Sequence, residues 1–188
     1  MLKVFRTQSI LPNHYQIGDK VPFPIGENTF FATAYKREED GMLFVFDKCI
    51  SKKYMSARHN HEKKWEKTNL RKLVKDLILV ASSKMKKQLI PFDNGDYFRL
   101  LTVDEVQTVP YFLTRENRIK EYKNRASDYW LQSSCQKYYD AWHIVDFDGT
   151  IAHEYKDMLI GVLPVFKLKD KVGQTKLKDD KVDYNNIT

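Results

Sequence analysis

Short runs of apolar and β-branched residues recur along this chain, and polar turn residues separate them. Residues 29–35 and 42–50 are two such runs. The charged segment 36–41 joins them, and this arrangement predicts a β-hairpin. Residues 17–23 predict a turn followed by a short strand. Pro22 places that strand at the edge of a sheet, because proline cannot donate a ladder hydrogen bond.

A helical period replaces the strand pattern in the middle of the chain. Residues 68–80 predict an amphipathic helix that packs on the sheet, and residues 82–89 predict a second helical piece. Thr102 and Glu105 form a capping-box pattern at the start of a short helix that continues to about residue 108. The apolar residues at the spacing of one helix face are Leu70, Leu73, Val74, Leu77 and Ile78.

The last third of the chain carries three further β-type runs, at residues 129–131, 141–147 and 159–166. Asp148 and Gly149 follow the second run, and the Asp-Gly pair is favoured in tight hairpin turns. These runs predict an antiparallel core that the C-terminal third closes. With the earlier elements they define an α+β fold, with a mainly antiparallel sheet and two or three short packed helices.

Three stretches lack a regular period. Residues 1–16 predict an arm or an edge strand, and residues 111–127 predict a long loop that carries basic residues among aromatic ones. Residues 169–188 are polar and charged, which predicts a mobile tail. The length of 188 residues favours one domain, and we assign it to residues 1–168.

The composition, 42% hydrophobic and 30% charged, is typical of a soluble globular chain. We expect no membrane span, because no apolar run reaches the length of a bilayer-crossing helix. The N-terminus lacks the apolar region of a signal peptide, so a cytoplasmic location is expected. Cys49 and Cys135 offer neither a disulfide framework nor a metal-ligand spacing, and we expect both thiols to be buried in a reducing compartment.

The formal net charge is +7 and the pI is about 9.2. A basic chain of this kind can bind nucleic acid or an acidic protein. A solvated surface explains most of the charge, and no recognised nucleic-acid-binding motif accompanies it. Nucleic acid is therefore an alternative partner.

One motif suggests an enzymatic alternative. Asp146-Phe147-Asp148-Gly149-Thr150 looks like the first motif of the haloacid-dehalogenase-like phosphatases, in which the first aspartate is the nucleophile and carboxylates bind Mg²⁺. Only 38 residues follow Thr150. Several βα units at roughly 30 residues each cannot fit there. A turn between two strands is the favoured interpretation, with a Mg²⁺-dependent phosphohydrolase as the alternative.

Four features follow one another along the chain: the Gly-Asp turn and strand at residues 17–23, Trp65 with Leu70-Arg71-Lys72-Leu73, Tyr129-Trp130-Leu131-Gln132-Ser133, and Gly161-Val162-Leu163-Pro164-Val165-Phe166. In this order they resemble a family of uncharacterised bacterial and phage domains with Trp-Leu-Arg-Ser and Gly-Val-Arg-Pro-Ala-Leu motifs. The resemblance covers about residues 17–168 and implies the C-type-lectin-like fold that formylglycine-generating enzymes share with phage receptor-binding tips. It also implies a virion-associated location as an alternative to the cytoplasm. Besides the opening Gly-Asp strand, the residues that carry it are Trp65, Leu70, Arg71, Trp130, Leu131, Ser133, Gly149, Gly161 and Pro164.

The chain departs from this family where both motif arginines are expected, at Gln132 and Leu163. Its interior must therefore be satisfied without those guanidinium groups. The formylglycine-generating relatives bind copper through a pair of neighbouring cysteines, and this chain has no such pair. We predict no cofactor and no catalytic residues.

Two groups of polar residues deserve comparison with metal sites. His59 and His61 could begin a site, but a solvated loop is the favoured interpretation because no known ligand spacing completes it. The turn at residues 93–96 offers side-chain oxygens that Ca²⁺ prefers, although such residues are also ordinary turn formers. We predict no metal.

Recognition remains as the predicted function. Lectin-like scaffolds carry binding residues on irregular loops, and tyrosine and arginine are typical of binding hot spots. We predict a non-catalytic module for a protein or surface partner, encoded by a phage or mobile element; an inhibitor that binds nucleic acid or a nucleoprotein is the alternative. The candidate contact residues are Tyr111, Phe112, Arg115, Arg118, Tyr122, Arg125, Gln136, Lys137, Tyr138 and Tyr139.

Overall fold

Two large sheets and a two-stranded hairpin form the framework of the computed structural model, which describes residues 14–57, 59 and 63–170. The strands are β1 (Lys20–Ile25), β2 (Asn28–Arg37), β3 (Met42–Phe46), β4 (Ser51–Lys53), β5 (Leu89–Ile90), β6 (Phe98–Leu100), β7 (Lys120–Tyr122), β8 (Arg125–Ser127), β9 (Tyr129–Ser134), β10 (Ala141–Val145), β11 (Ile151–Tyr155), β12 (Ile160–Val162) and β13 (Pro164–Leu168). The helices are a 3-10 turn (Trp65–Lys67), α1 (Asn69–Lys75), α2 (Leu77–Val80), α3 (Ser83–Lys86), α4 (Val103–Thr108), α5 (Pro110–Leu113) and α6 (Arg115–Arg118).

The first sheet has the order β1-β2-β3-β13-β5, and β6 also pairs with β13. Strand β1 lies at the edge, as its prolines predict, and β2 and β3 form the predicted hairpin. Every residue of β3 and β13 is buried. Aromatic rings fill the core, and Phe166 is its centre, with ring centroids 5.2 Å from Phe23 and 5.6 Å from Phe46. Burial of each such ring contributes about 1.5–3 kcal/mol.

The second sheet has the order β11-β10-β9-β12-β4, with antiparallel pairing except between β12 and β9. The predicted single strand at residues 159–166 is two strands, because Leu163 separates β12 in the second sheet from β13 in the first. Gly161 permits this crossing. A Cβ there would collide with the backbone oxygen of Asp128 and lie 2.6 Å from Cys49 Sγ.

The Asp148-Gly149 turn is confirmed. It joins β10 to β11, which pair antiparallel with Val145 opposite Ile151. Gly149 has a φ of +87°, a conformation that residues with a Cβ rarely adopt. The strand that follows the turn is β11, which the apolar pattern did not single out because its residues are only partly buried or exposed.

The helices are shorter and more numerous than predicted. The expected helix over residues 68–80 is broken at Asp76 into α1 and α2. The capping box at the start of α4 is confirmed: Glu105 N–H donates to Thr102 Oγ1 at 3.1 Å, and Thr102 N–H donates to Glu105 Oε2 at 3.0 Å. Such a cap contributes about 1 kcal/mol. In the described ranges, no helix combines the length and apolar character that a membrane crossing requires.

The prediction of a long loop at residues 111–127 is wrong. This stretch contains most of α5, all of α6, and the hairpin β7–β8. Each element has only three or four residues, too few for a periodic signal.

The predicted arm and tail fall largely outside the described residues, which exclude 1–13 and 171–188. Tyr15 belongs to the core, with its ring centroid 5.0 Å from that of Phe44. Lys169 and Asp170, expected to begin the tail, are tied to the domain. Lys169 N–H donates to the Gln88 carbonyl at 2.9 Å, and Asp170 forms an ion pair with Arg37.

The residues that carry the family resemblance are mostly buried or hold neighbouring segments through hydrogen bonds. Trp130 is buried and its Nε1 donates to the Lys53 carbonyl at 2.8 Å, while Ser133 Oγ accepts from Val103 N–H at 3.1 Å. Arg71 binds both carboxylate oxygens of Asp96, at 2.8 and 3.1 Å. The remaining members Trp65, Leu70, Leu131 and Pro164 are buried.

One guanidinium group is largely enclosed beside α4. Arg99 in β6 binds both oxygens of the buried Glu105, each at 2.7 Å. Leu163 is buried without a polar group, whereas the Gln132 side-chain oxygen is enclosed without a hydrogen-bond partner in the described residues.

Candidate binding site

The hairpin β7–β8 carries the candidate site and has an unusual turn. Lys123 and Asn124 form its two-residue loop, with φ values of 51° and 63°. Two positive φ values are what type I′ hairpin turns require, and asparagine and glycine favour that conformation. A lysine there is strained, because a residue with a Cβ rarely adopts a positive φ.

Lys48 and its neighbour Cys49 fix the hairpin to the rest of the domain. Cys49 N–H donates to the Glu121 carbonyl at 2.8 Å. Lys48 Nζ lies 2.9 Å from a carboxylate oxygen of Glu121 and donates to Asn124 Oδ1, also at 2.9 Å. The hairpin therefore has a defined position relative to β4.

A groove of about 500 Å³ lies between the hairpin and β4. The Tyr122 ring lies in this groove, with Lys52 Nζ at 5.8 Å and Lys123 Nζ at 5.5 Å from its centroid. In the described part of the chain, no carboxylate oxygen lies within 4.0 Å, the distance of an ion pair, of a side-chain nitrogen of Lys52, Lys123 or Arg125. We call it the cationic groove; its lining residues are Lys52, Tyr122, Lys123, Arg125, Ala126 and Ser127.

A further lysine lies at the base of the hairpin. Lys120 is only 5% exposed, and its Nζ is 5.9 Å from the centroid of the Tyr111 ring. Burial lowers the pKa of Lys120 to about 8, with the charge of Lys20 acting in the same direction and that of Asp47 opposing it. The hairpin thus carries cations at both its base and its tip.

The structure separates the predicted contact residues into distinct places. Tyr122 and Arg125 line the cationic groove. Phe112 is wholly buried against Tyr35, with centroids 5.1 Å apart, so its prediction as a surface contact is wrong. Tyr111 is half-buried, and burial raises the pKa of its phenol to about 12.

Two of the predicted contact residues, Arg115 and Arg118, lie outside the cationic groove. Arg115 binds the turn at Asp148, with Nε donating to its carbonyl at 2.6 Å and a guanidinium nitrogen 2.7 Å from its carboxylate. Arg118 is half-buried, and its Nε is enclosed without a hydrogen-bond partner in the described residues.

The other predicted contacts form an exposed patch in the connection from β9 to β10. Tyr138 stacks on His153 with centroids 4.4 Å apart, and Lys137 Nζ lies 5.2 Å from the same tyrosine ring. Lys63 Nζ lies 5.6 Å from the Tyr139 ring centroid. Gln136 completes the patch and donates to Ser134 Oγ at 3.1 Å. This patch and the groove do not share lining residues.

Sequence reasoning missed Lys52 and Lys123 as members of the groove. Lys52 lies on β4, far along the chain from the hairpin, and no local pattern joins the two. Lys123 itself gives no turn signal. The one local signal is the asparagine that follows it, Asn124, because asparagine is common in turns.

The carboxylates of the phosphatase-like motif surround the β10–β11 turn. Phe147 N–H donates to Asp128 Oδ1 at 2.8 Å and to Asp146 Oδ1 at 2.7 Å. Burial and a hydrogen bond from Asp146 raise the pKa of Asp128. Asp148 has hydrogen bonds from Thr150 and a charge partner in Arg115, and these lower its pKa.

Two of the residues considered as metal ligands, Asp96 and Asn94, have other partners. Both oxygens of Asp96 bind Arg71, and Asn94 bonds within its own turn. His59 is exposed, while His61 lies outside the described residues. Within the described ranges, no three His, Cys, Asp or Glu residues come together as a metal site.

Both cysteines are free and buried, as predicted. Burial raises the pKa of the Cys49 thiol to about 12. At neutral pH this thiol is protonated and behaves as a small apolar side chain.

No family model, no curated protein and no solved structure matches this chain. The resemblance to the Trp-Leu-Arg-Ser domains therefore stays a prediction that rests on the order of four short motifs. The α+β fold and the geometry of the groove stand on the structure alone.

Proposed function

We propose that this protein is a non-catalytic recognition module that binds an acidic segment of a partner protein in the cationic groove. One observation carries the proposal: Lys52, Lys123 and Arg125 meet around Tyr122 without a described carboxylate within ion-pair distance. An incoming carboxylate would form charge-assisted hydrogen bonds with these groups. Tyrosine and arginine together are also enriched in binding hot spots.

The strained turn supports the same proposal. Lys123 occupies a conformation that costs a residue with a Cβ about 1–2 kcal/mol. Strain of this kind concentrates at functional positions, where the surrounding structure maintains it. Here Lys48 maintains it, since it holds Asn124 and Glu121 at 2.9 Å.

The order of the four motifs supports a C-type-lectin-like scaffold as part of this proposal. A C-type-lectin-like scaffold carries long irregular loops over a stable sheet, and binding residues concentrate on such loops. The hairpin β7–β8 offers residues that such a scaffold would use for recognition. The order of the four motifs also resembles that of phage and bacterial domains. An origin in a phage or mobile element accompanies the resemblance.

The arrangement favours an acidic protein segment over nucleic acid. Binding of single strands uses aromatic rings as platforms on which bases stack. The Tyr122 ring already has two ammonium groups within 6 Å of its centroid, at 5.8 and 5.5 Å. The cations of the groove nevertheless suit phosphate as well as carboxylate, so nucleic acid is included in the test.

The test compares the native protein with the double variant Lys123→Glu/Arg125→Glu. A labelled glutamate-rich peptide is expected to bind the native protein and to lose at least about tenfold in affinity in the variant, with steep weakening by salt. The double variant Lys72→Glu/Lys75→Glu is the matched control, because both lysines are exposed on α1, lie outside the groove and give the same change in net charge. The control is expected to keep native affinity.

Three results would overturn the proposal. The first is equal binding of the glutamate-rich peptide by the native protein and the double variant. The second is tighter, salt-dependent binding of a DNA or RNA oligonucleotide, which would favour the nucleic-acid alternative. The third is Mg²⁺-dependent hydrolysis of a phosphate ester that Asp146→Asn abolishes, which would establish the phosphohydrolase.

A further inference from the structure

Strand β11 lies at one edge of the second sheet, and among the described strands it pairs only with β10. It is five residues long, with the sequence Ile-Ala-His-Glu-Tyr, and it contains no proline, lysine or arginine. An edge strand of this kind presents unpaired backbone groups to which another strand can add.

The other edges of the two sheets carry features that oppose such pairing. Strand β1 contains Pro22 and Pro24, and two of the three residues of β4 are Lys52 and Lys53. Strands β5 and β6, which both pair with β13, have two and three residues. Proline, lysine and short length are means by which natural proteins block sheet edges. Strand β11 has none of them.

Hydrogen bonds at both ends of β11 show which of its backbone groups face outward. Asp146 N–H donates to the Thr150 carbonyl at 2.8 Å, and Lys156 N–H donates to the Asp140 carbonyl at 3.0 Å. Both pairs continue the register of β10 and β11. In an antiparallel ladder, hydrogen-bonded pairs alternate with pairs that form no bonds between the two strands. The N–H and C=O groups of the odd-numbered residues of β11 therefore point away from β10.

Two of these odd-numbered residues have open backbone groups. Tyr155 is not one of them, because its N–H donates to Glu154 Oε1 at 2.9 Å and its carbonyl accepts from Met158 N–H at 3.0 Å. In the described part of the chain, the backbone groups of Ile151 and His153 have no hydrogen-bond partner. The free edge thus offers two donors and two acceptors.

We propose that β11 pairs antiparallel with β11 of a second copy of this chain, about a two-fold axis at Ala152. In this register Ile151 lies opposite His153 of the second copy. The N–H of each donates to the carbonyl of the other, and the two-fold axis repeats both bonds. The four donors and four acceptors that the two copies leave open are all used.

Side chains and backbone both favour this register. Glu154 lies opposite Thr150 of the second copy, so no acidic side chain faces another, and His153 faces an aliphatic residue. A register centred on His153 would instead place Ile151 opposite Tyr155, whose backbone groups already have partners. The pairing centred on Ala152 needs no existing hydrogen bond to break.

The pairing is expected to be weak and to respond to salt. A contact of so few residues buries little surface, and interfaces below about 1,200 Å² are typical of transient association. The net charge of +7 on each copy opposes association, and salt screens this repulsion. Salt should therefore strengthen the dimer, whereas it should weaken the binding of an acidic peptide in the cationic groove. The dimer and the proposed function are thus separable.

Sedimentation velocity over a concentration series is the first measurement. The native protein is expected to move from the monomer mass towards twice that mass as its concentration rises. His153→Pro removes an outward N–H and is expected to weaken dimerisation at least about tenfold. His153→Thr is the matched control, because it removes the same imidazole but keeps the N–H; it is expected to dimerise like the native protein.

Cysteine cross-linking tests the register without the proline variant. Ala152→Cys places two thiols in a pair whose Cα atoms are about 4.5 Å apart, a distance that a disulfide can span. Glu154→Cys is the control, because its two thiols would be at least about 13 Å apart. Mild oxidation with diamide is expected to give a covalent dimer only with Ala152→Cys, since Cys49 and Cys135 are buried.

Four results would overturn the proposal. The first is a native protein that stays monomeric at every concentration, and the second is equal loss of association in His153→Thr and His153→Pro. The third is equal cross-linking of the two cysteine variants. The fourth is a monomeric protein in which an added extended peptide, rich in β-branched residues, slows amide exchange at Ile151 and His153. That result would assign the edge to another protein.

Discussion

Two regions of this protein differ in whether their charged side chains have ion-pair partners. Beside α4, Arg99 binds Glu105 through two contacts of 2.7 Å, and the Tyr35 hydroxyl donates to the same carboxylate at 2.9 Å. Burial alone would raise the pKa of Glu105, yet its hydrogen bonds and the charge of Arg99 lower it. All three side chains have partners.

The hairpin β7–β8 has the opposite character. Lys120 is buried at its base with a pKa lowered to about 8, while Lys123 and Arg125 at its tip have no described carboxylate within ion-pair distance. The buried charge of Lys120 and the strained backbone at Lys123 both reduce stability. The charged groups beside α4 are therefore held by contacts within the fold, whereas the cations at the hairpin tip have no described carboxylate within ion-pair distance.

The largest expected effect comes from the paired region. Glu105→Gln removes the charge that compensates Arg99 and is expected to lower the free energy of unfolding by about 3–5 kcal/mol. Chemical denaturation measures this loss. Glu116→Gln is the control, since Glu116 is an exposed carboxylate on α6 and its loss should have little effect. Equal denaturation midpoints for the two variants would contradict the role of the pair.

The opposite sign is expected at the base of the hairpin. Lys120→Met removes a buried charge and is expected to raise the free energy of unfolding by about 1–3 kcal/mol at pH 7. The folded-state pKa of about 8 lies below the ordinary lysine value of 10.5. The native protein therefore gains stability as the pH rises from 8 towards 10.5, and the advantage of the variant shrinks over that window. A constant difference across these pH values would show that Lys120 is not the titrating group.

The turn of the hairpin distinguishes stability from binding. Lys123→Asn places a residue that tolerates positive φ in the strained position and is expected to stabilise the protein by about 1 kcal/mol. The same change is expected to weaken binding of the glutamate-rich peptide several-fold. Thermal unfolding and peptide titration measure the two effects. Arg125→Gln is the companion variant, which should weaken binding without the gain in stability.

The smallest effect is expected at Asp128, beside the β10–β11 turn. Its pKa is raised, chiefly by burial and by Asp146, while Lys52 opposes the shift. An ionised Asp128 therefore lowers stability above its folded-state pKa, and this penalty disappears as the pH falls through that value. Asp128→Asn keeps an oxygen for Phe147 N–H and is expected to be slightly more stable at pH 7. Unfolding free energies measured from pH 7 to pH 4 should converge for the two proteins.

Much of the framework could be predicted because its signals are local. The β2–β3 hairpin, the capping box of Thr102 and Glu105, and the turn at Asp148-Gly149 each depend on residues close together in the chain. Side-chain alternation, capping hydrogen bonds and positive φ at glycine act within a few residues. These features stand in the structure as their patterns predict.

The helix break at Asp76 and the strand switch at Leu163 escaped prediction for a common reason. Apolar periodicity continues through both positions, so the pattern alone indicates one uninterrupted element. Packing decides otherwise, since β12 and β13 belong to different sheets and Gly161 must approach the Asp128 carbonyl and Cys49.

The sequence by itself determined the α+β class, the basic character and the choice of tyrosine and arginine as candidate contacts. Only the tertiary structure decided which of them share a site: it buried Phe112, tied Arg115 to Asp148, and brought Lys52 beside Tyr122. The physical reason is that composition acts residue by residue, whereas a binding groove depends on distances between strands that are far apart in the chain.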